Sequence, residues 1–172
     1  MELLVEPLAE AVAGKIREQM ERTVHLLALL PAEQPEWTPP IPGAWPAGEL
    51  LGHLLDCLAG VCAVLYAAYP ERLAHFAELR ELPVNHTCGS EQALRRVAVY
   101  RGHIEEGFAV LTDADLARKL PTVFVAEGES VLTLLLGNLE HLINHKYQLF
   151  LYLKLMGIEV ATPDLYRLRG TG

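Results

Sequence analysis

Residues 46–69, PAGELLGHLLDCLAGVCAVLYAAY, constrain the fold more than any other stretch of the chain. Pro46 suits the first turn of a helix, Glu49 complements the helix dipole, and Pro70 ends or bends the helix. From Cys57 to Pro70 no residue carries a charge. A helix that is apolar on every side must be surrounded, either inside a bundle or against a second copy of itself. The run falls short of the ~18 uninterrupted apolar residues that a bilayer requires, so a buried core helix is the expectation.

Three further helical segments supply the surroundings. The first is predicted from Leu3 to Leu30, with Leu4, Leu8, Val12, Ile16, Met20, Val24 and Leu27 at helical spacing, and it stops at Pro31. The proline-rich stretch PAEQPEWTPPIPGAW then reads as a rigid loop. Residues 71–80 are read as a short helix and LPVNHTCGS (82–90) as a loop containing His86 and Cys88, with Ser90 as the N-cap of the third helix. That helix covers Glu91 to Leu111, with the stripe Leu94, Val97, Arg101, Ile104, Phe108 and Leu111. A connection containing the extended run TVFVA leads to the fourth helix, capped near Ser130 and closed after Met156 by Gly157. The tail has no helical period. The expected fold is all-α: one domain over residues 1–172, a four-helix bundle whose long connections permit crossovers.

Composition excludes several function classes. Apolar residues make up 51% of the 172, which rules out a disordered chain. Fourteen Lys and Arg against 22 Asp and Glu give a net charge of −8, with no basic stripe, so nucleic acid and anionic membrane are not expected partners. Three cysteines are too few for a disulfide framework, and the start MELLVEPLAE has no signal-like apolar region; a reducing, cytoplasmic setting is the expectation.

Chemistry concentrates in the fourth helix. His141 and His145 are four residues apart and share one face, a spacing that lets two imidazoles meet one metal ion. The same face carries Leu134, Asn138, Gln148 and Tyr152, a polar seam on a helix otherwise apolar nearly all round. A polar seam on such a helix faces water or an internal cleft. His53, set among Leu50, Leu51, Leu54 and Leu55, offers a third imidazole, although a core histidine bonded to a carbonyl is an equally simple account. Cys57, one turn along, is a ligand, a cleft-lining thiol or a small hydrophobe. Arg101 interrupts the stripe of helix three. Its plain reading is an ion pair with Glu105 and its functional reading an anion clamp facing the metal. His25 and His103 fall on partly solvated faces, and His86 and Cys88 are read as loop residues.

The stretch HLINHKYQLFLYLKLMGIEV (141–160) resembles the last-helix signature of the DinB-like, or YfiT-like, metalloenzyme superfamily. The matching positions are the two histidines, then Lys146, Gln148, Tyr152, Leu153, Lys154 and Gly157. WTPPIPGAWPAGELLGHLLD (37–56) resembles the family's entry to its second helix. Tyr147 departs from the family's frequent glycine. The resemblance implies a crossed four-helix bundle, often a homodimer, binding a divalent metal (Ni, Zn or Fe) through His53, His141 and His145. It also implies a small-molecule substrate, with either a low-molecular-weight thiol in a transferase or isomerase reaction, or water in a hydrolase. An ion held by neutral imidazoles keeps its charge and lowers the pKa of a bound thiol or water. The competing class is a non-enzymatic dimeric scaffold, docking through the apolar surface Leu58, Val61, Leu65 and Tyr66.

Overall fold

The structure, a computed structural model, describes residues 6–32, 34–122 and 125–166. Four long helices, α1 (Leu8–Leu29), α2 (Ala47–Ala68), α3 (Ser90–Val110) and α5 (Val131–Leu155), make the all-α bundle. Between α3 and α5 lie a single turn, α4 (Asp113–Leu116), and a minimal antiparallel pair, β1 (Lys119–Leu120) and β2 (Glu129–Ser130), with Lys119 opposite Ser130. That pair flanks the expected extended run, of which Val123 and Phe124 lie outside the described residues. A 3-10 helix (Ala74–Glu81) follows Pro70, and a one-turn helix, α6 (Thr162–Leu165), forms in the tail that showed no period.

α2 packs on α5 and α3, and α1 packs on α3 and α5. α2 is long and apolar enough to cross a membrane by composition, yet most of its apolar surface is covered by the rest of the chain. Leu50, Leu51, Leu54, Leu55, Leu58 and Leu65 are wholly buried. This overturns the expectation that Leu58, Val61 and Leu65 form a dimer face, because the bundle itself takes them up; of that set only Tyr66 is partly open.

Helix ends follow local chemistry. α1 begins at Leu8, after Pro7, rather than at Leu3, which lies outside the described residues together with Leu4. Its first free amides, of Leu8 and Ala9, donate to the Asp113 carboxylate at 3.0 and 2.8 Å, so the cap comes from a distant loop. Ser130 caps α5 by accepting from the Thr133 amide at 3.0 Å. Gly157 closes α5 at φ +82°, a conformation that side chains disfavour.

Two glycines let α2 approach its neighbours. A Cβ on Gly52 would lie 1.9 Å from the carbonyl oxygen of His86, and one on Gly60 would lie 1.9 Å from Asn138 Oδ1 on α5. The first seats the 82–89 loop against α2 one residue before His53. The second brings α2 and α5 close along the line that carries the histidines.

Candidate metal centre

His53 projects from α2, and His141 and His145 project from adjacent turns of α5, into the α2–α5 junction. One ring nitrogen of each lies within 4.8 Å of the other two; among the described residues this is the one such group of three metal-ligating side chains. Burial is graded: His145 is buried, His53 half-buried and His141 exposed, so the trio is reachable from solvent on one side.

The surrounding groups fix the imidazoles. His145 Nδ1 lies 2.6 Å from Gln148 Oε1. An amide oxygen only accepts, so Nδ1 carries the proton and donates, which leaves the Nε2 lone pair directed at the trio. His145 Nε2 and His141 Nε2 are 2.7 Å apart. Tetrahedral zinc ligation would set two imidazole nitrogens about 3.3 Å apart, given Zn–N near 2.0–2.1 Å, so a small ring rotation suffices. Burial lowers the pKa of His145, and the neighbouring His141 and His53 lower it further against an opposing contribution from Gln148. The neutral ring that ligation needs is therefore favoured.

Trp45 completes the site. Its indole stacks on His53 with centroids 4.3 Å apart and planes 9° from parallel, and lies 5.7 Å from the His145 ring. Its carbonyl accepts a hydrogen bond from the Tyr152 hydroxyl at 2.9 Å, and Trp37 meets Tyr152 edge-on at 5.4 Å. The proline-rich loop is thus pinned to α5 beside the trio. Three imidazoles from two helices, with a tautomer fixed by an amide and a stacked indole, are a donor set that fits a divalent ion with positions left for other ligands.

A profile of the DinB superfamily matches residues 15–149. The chain belongs to the DinB superfamily. A comparison with curated proteins gives no match. The bundle is similar to the crystal structure of a DinB-like protein, YjoA, from Bacillus subtilis, with TM-score 0.66 and 19% identity over 87% of this chain and 94% of that one. It is also similar to a mutant of the mycothiol-dependent maleylpyruvate isomerase, with TM-score 0.58 and 12% identity over 82% of this chain and 60% of that one. At these identities the likeness shows the DinB fold.

Other expected site residues of this DinB bundle lie elsewhere or act differently. Cys57 is buried, its thiol donates to the His53 carbonyl at 3.2 Å, and burial, with the Asp56 charge second, pushes it up to about 12. It is a small hydrophobe that stays a thiol, outside the trio. Asn138 donates to the Leu134 carbonyl at 2.9 Å and its Oδ1 lies against Gly60, so it packs at the α2–α5 contact. Arg101 pairs with Glu21 at 3.6 Å and Glu105 at 3.7 Å between α3 and α1, which agrees with its plain reading as an ion-pair residue rather than with an anion clamp. The buried arginine of α3 is Arg96, whose guanidinium donates to the His86 ring and, at 2.5 Å, to the Tyr100 hydroxyl. Sequence reasoning assigned no role to Arg96. It used Trp45 only as part of the resemblance; an aromatic eight residues before a lone helical histidine was the available signal.

Proposed function

We propose that this DinB-superfamily protein is a divalent-metal-dependent enzyme acting on a small molecule, with His53, His141 and His145 as the metal ligands. The observation that carries the reading is the meeting of three imidazole nitrogens within 4.8 Å at a junction open on the His141 side. When bound, the ion supplies Lewis acidity that favours the deprotonated form of a thiol or water beside it.

The chain's own residues do the rest. Gln148 holds the His145 proton on Nδ1, so Nε2 stays a donor of electrons. Trp45 covers one face of His53 and limits water there. Gly60 permits the close approach of α2 and α5, the two helices that carry the ligands, and Gly52 lets the 82–89 loop pack on α2 beside His53. Between thiol-dependent transfer or isomerisation and hydrolysis, we favour the thiol-dependent reaction, because one of the similar folds is named as a mycothiol-dependent isomerase. The scaffold alternative is weakened because the α2 surface it relied on is internal.

The test is elemental analysis of tag-free protein. Near one equivalent of divalent metal per chain is expected, lost in His141→Ala while the helical circular dichroism is kept. Full occupancy in that variant would remove the ligand assignment. A panel of small thiols with electrophilic acceptors then separates thiol transfer from hydrolysis.

A further inference from the structure

The imidazoles of the trio are not held alike. His145 has Gln148 on its Nδ1, at 2.6 Å. Among the described residues, the side-chain hydrogen bond that reaches His53 goes to its carbonyl, from Cys57, and neither ring nitrogen has a partner. A ligating histidine ordinarily gives its second nitrogen to an acceptor, which fixes the plane of the ring. At His53 the plane is set by an aromatic face instead. The Trp45 indole lies 4.3 Å away, centre to centre, and 9° from parallel.

Core packing does not account for the place of Trp45, which keeps 37% of its surface exposed although burial would be stabilising. The chain around it does. Pro46 follows and restricts the Trp45 backbone to extended conformations, and α2 begins at the next residue, Ala47. The loop is closed behind the indole, where the Ala47 amide donates to the Trp37 carbonyl at 2.8 Å. The Tyr152 hydroxyl donates to the Trp45 carbonyl at 2.9 Å. Tyr152 is buried one turn after Gln148 on α5, with Trp37 edge-on at 5.4 Å. One face of α5 thus reaches histidines on both helices: Gln148 touches His145 directly, and Tyr152 reaches His53 through Trp45.

Stacking also discriminates between states of the ring. An imidazole that binds a cation loses electron density, and the negative face of an indole attracts an electron-poor ring more strongly than a neutral one. We propose that Trp45 is the positioning residue of His53, fixing the plane of that imidazole and raising the affinity of the trio for a divalent cation, with Tyr152 acting behind it by holding the loop. The affinity gain rests on the metal reading above; the stack does not.

The test has a metal-free arm and a zinc arm, both on the full chain. In the metal-free protein, NMR should find the His53 ring protons shifted upfield by the indole, the signals being identified by their loss in His53→Ala. Trp45→Leu should return them to ordinary positions while thermal melts report a folded bundle. In chelator competition, Trp45→Leu should weaken zinc binding by about tenfold. Trp45→Phe, which keeps an aromatic face, should recover most of that loss. Tyr152→Phe should weaken zinc by about threefold in the wild type and not at all in Trp45→Leu. In a His53→Ala background, where two imidazoles still bind zinc weakly, Trp45→Leu should cost nothing more. Unchanged zinc affinity in Trp45→Leu would overturn the proposal. So would an equal loss with and without His53, which would make Trp45 act elsewhere, or a phenylalanine variant as weak as the leucine one, which would leave only bulk. Unshifted His53 protons would remove the stack and the proposal with it. Shifted protons in a protein that keeps all its zinc in His141→Ala reject the metal reading, and the affinity gain with it, while the stack stands. Zinc held by the trio as tightly in Trp45→Leu as in the wild type rejects the role of Trp45 alone.

Discussion

His145 Nδ1 and Gln148 Oε1 lie 2.6 Å apart on one face of α5, and this contact decides which nitrogen of the buried imidazole faces the trio. The amide acts at one remove from the metal position, through the tautomer and orientation of the ring. Partners of this kind typically contribute 10–100-fold in metal affinity. Gln148→Ala is therefore expected to weaken zinc binding by about 10–100-fold in chelator competition. The melting temperature of the metal-free protein should change little, since Gln148 is exposed. Gln148→Glu should retain affinity, because a carboxylate also accepts from Nδ1. Unchanged affinity in the alanine variant would mean that Gln148 does not orient the ring.

Gly52 and Gly60 make separable predictions about how α2 is seated. At Gly52 an added methyl meets a backbone oxygen, and at Gly60 the end of a side chain. Backbone cannot swing away. Gly52→Ala is expected to destabilise the fold by about 1–3 kcal/mol, as overpacking does. Gly60→Ala should cost less and should be partly rescued by Asn138→Ala in a double-mutant cycle. Denaturant melts report both. A Gly60→Ala defect that Asn138→Ala leaves untouched would mean that the asparagine is not the residue being crowded.

Asp164 ties the tail to α1 through a pH-dependent contact. Its carboxylate accepts from the Ala161 amide at 2.7 Å and meets His25 Nε2 at 2.6 Å. The Ala161 amide first, and the His25 contact second, hold its pKa below the ordinary carboxylate value. A carboxyl depressed in the folded state binds its proton more readily when unfolded. Its stabilising contribution is therefore complete above the unfolded value of about 3.9 and is lost as pH falls through the lower, folded value. Amide hydrogen exchange in α6 is expected to accelerate below about pH 4, and Asp164→Asn should remove that acid-dependent step. An identical acid response in the two proteins would assign the loosening to other groups.

The bundle and its ligands were legible for different reasons. The four helices follow from apolar periodicity broken by proline and glycine, signals local to each segment. His141 and His145 must share a face because both lie on one uninterrupted helix, and His53 stood out as a polar residue among leucines. The rotation of α3 was not legible. Its residues 93, 97, 100, 104 and 107 face the core; of the expected stripe Leu94, Val97, Arg101, Ile104, Phe108 and Leu111, three (Val97, Ile104 and Leu111) are buried, while Leu94, Arg101 and Phe108 are only partly covered. Both faces contain apolar residues, so the period alone does not choose between them, and contact with α1 and α2 does. The packing of Asn138 was hidden for a related reason. Its place on the histidine seam is visible in the sequence, whereas its contact with Gly60 depends on which residue of another helix stands opposite.

That rotation gives the two arginines of α3 opposite expectations. Arg96 and Arg101 are five residues apart, about 140° around the helix. Arg96 is buried, its Nη1 lies 2.9 Å from the His86 Nε2, its Nη2 donates to Tyr100, and its buried Nε has no partner among the described residues. Arg96→Ala would leave the Tyr100 hydroxyl and the His86 ring without that donor and open space under the 82–89 loop, a loss of about 1–3 kcal/mol. Arg96→Met, which keeps the stem, should recover part of it. Arg101 is half-exposed, and its pairs with Glu21 and Glu105 are long. Arg101→Ala should change stability by no more than about 0.5 kcal/mol and leave zinc affinity as it is. A strong loss of zinc binding in Arg101→Ala, with the melt unchanged, would return that arginine to the site and require α3 to be rotated from the arrangement described.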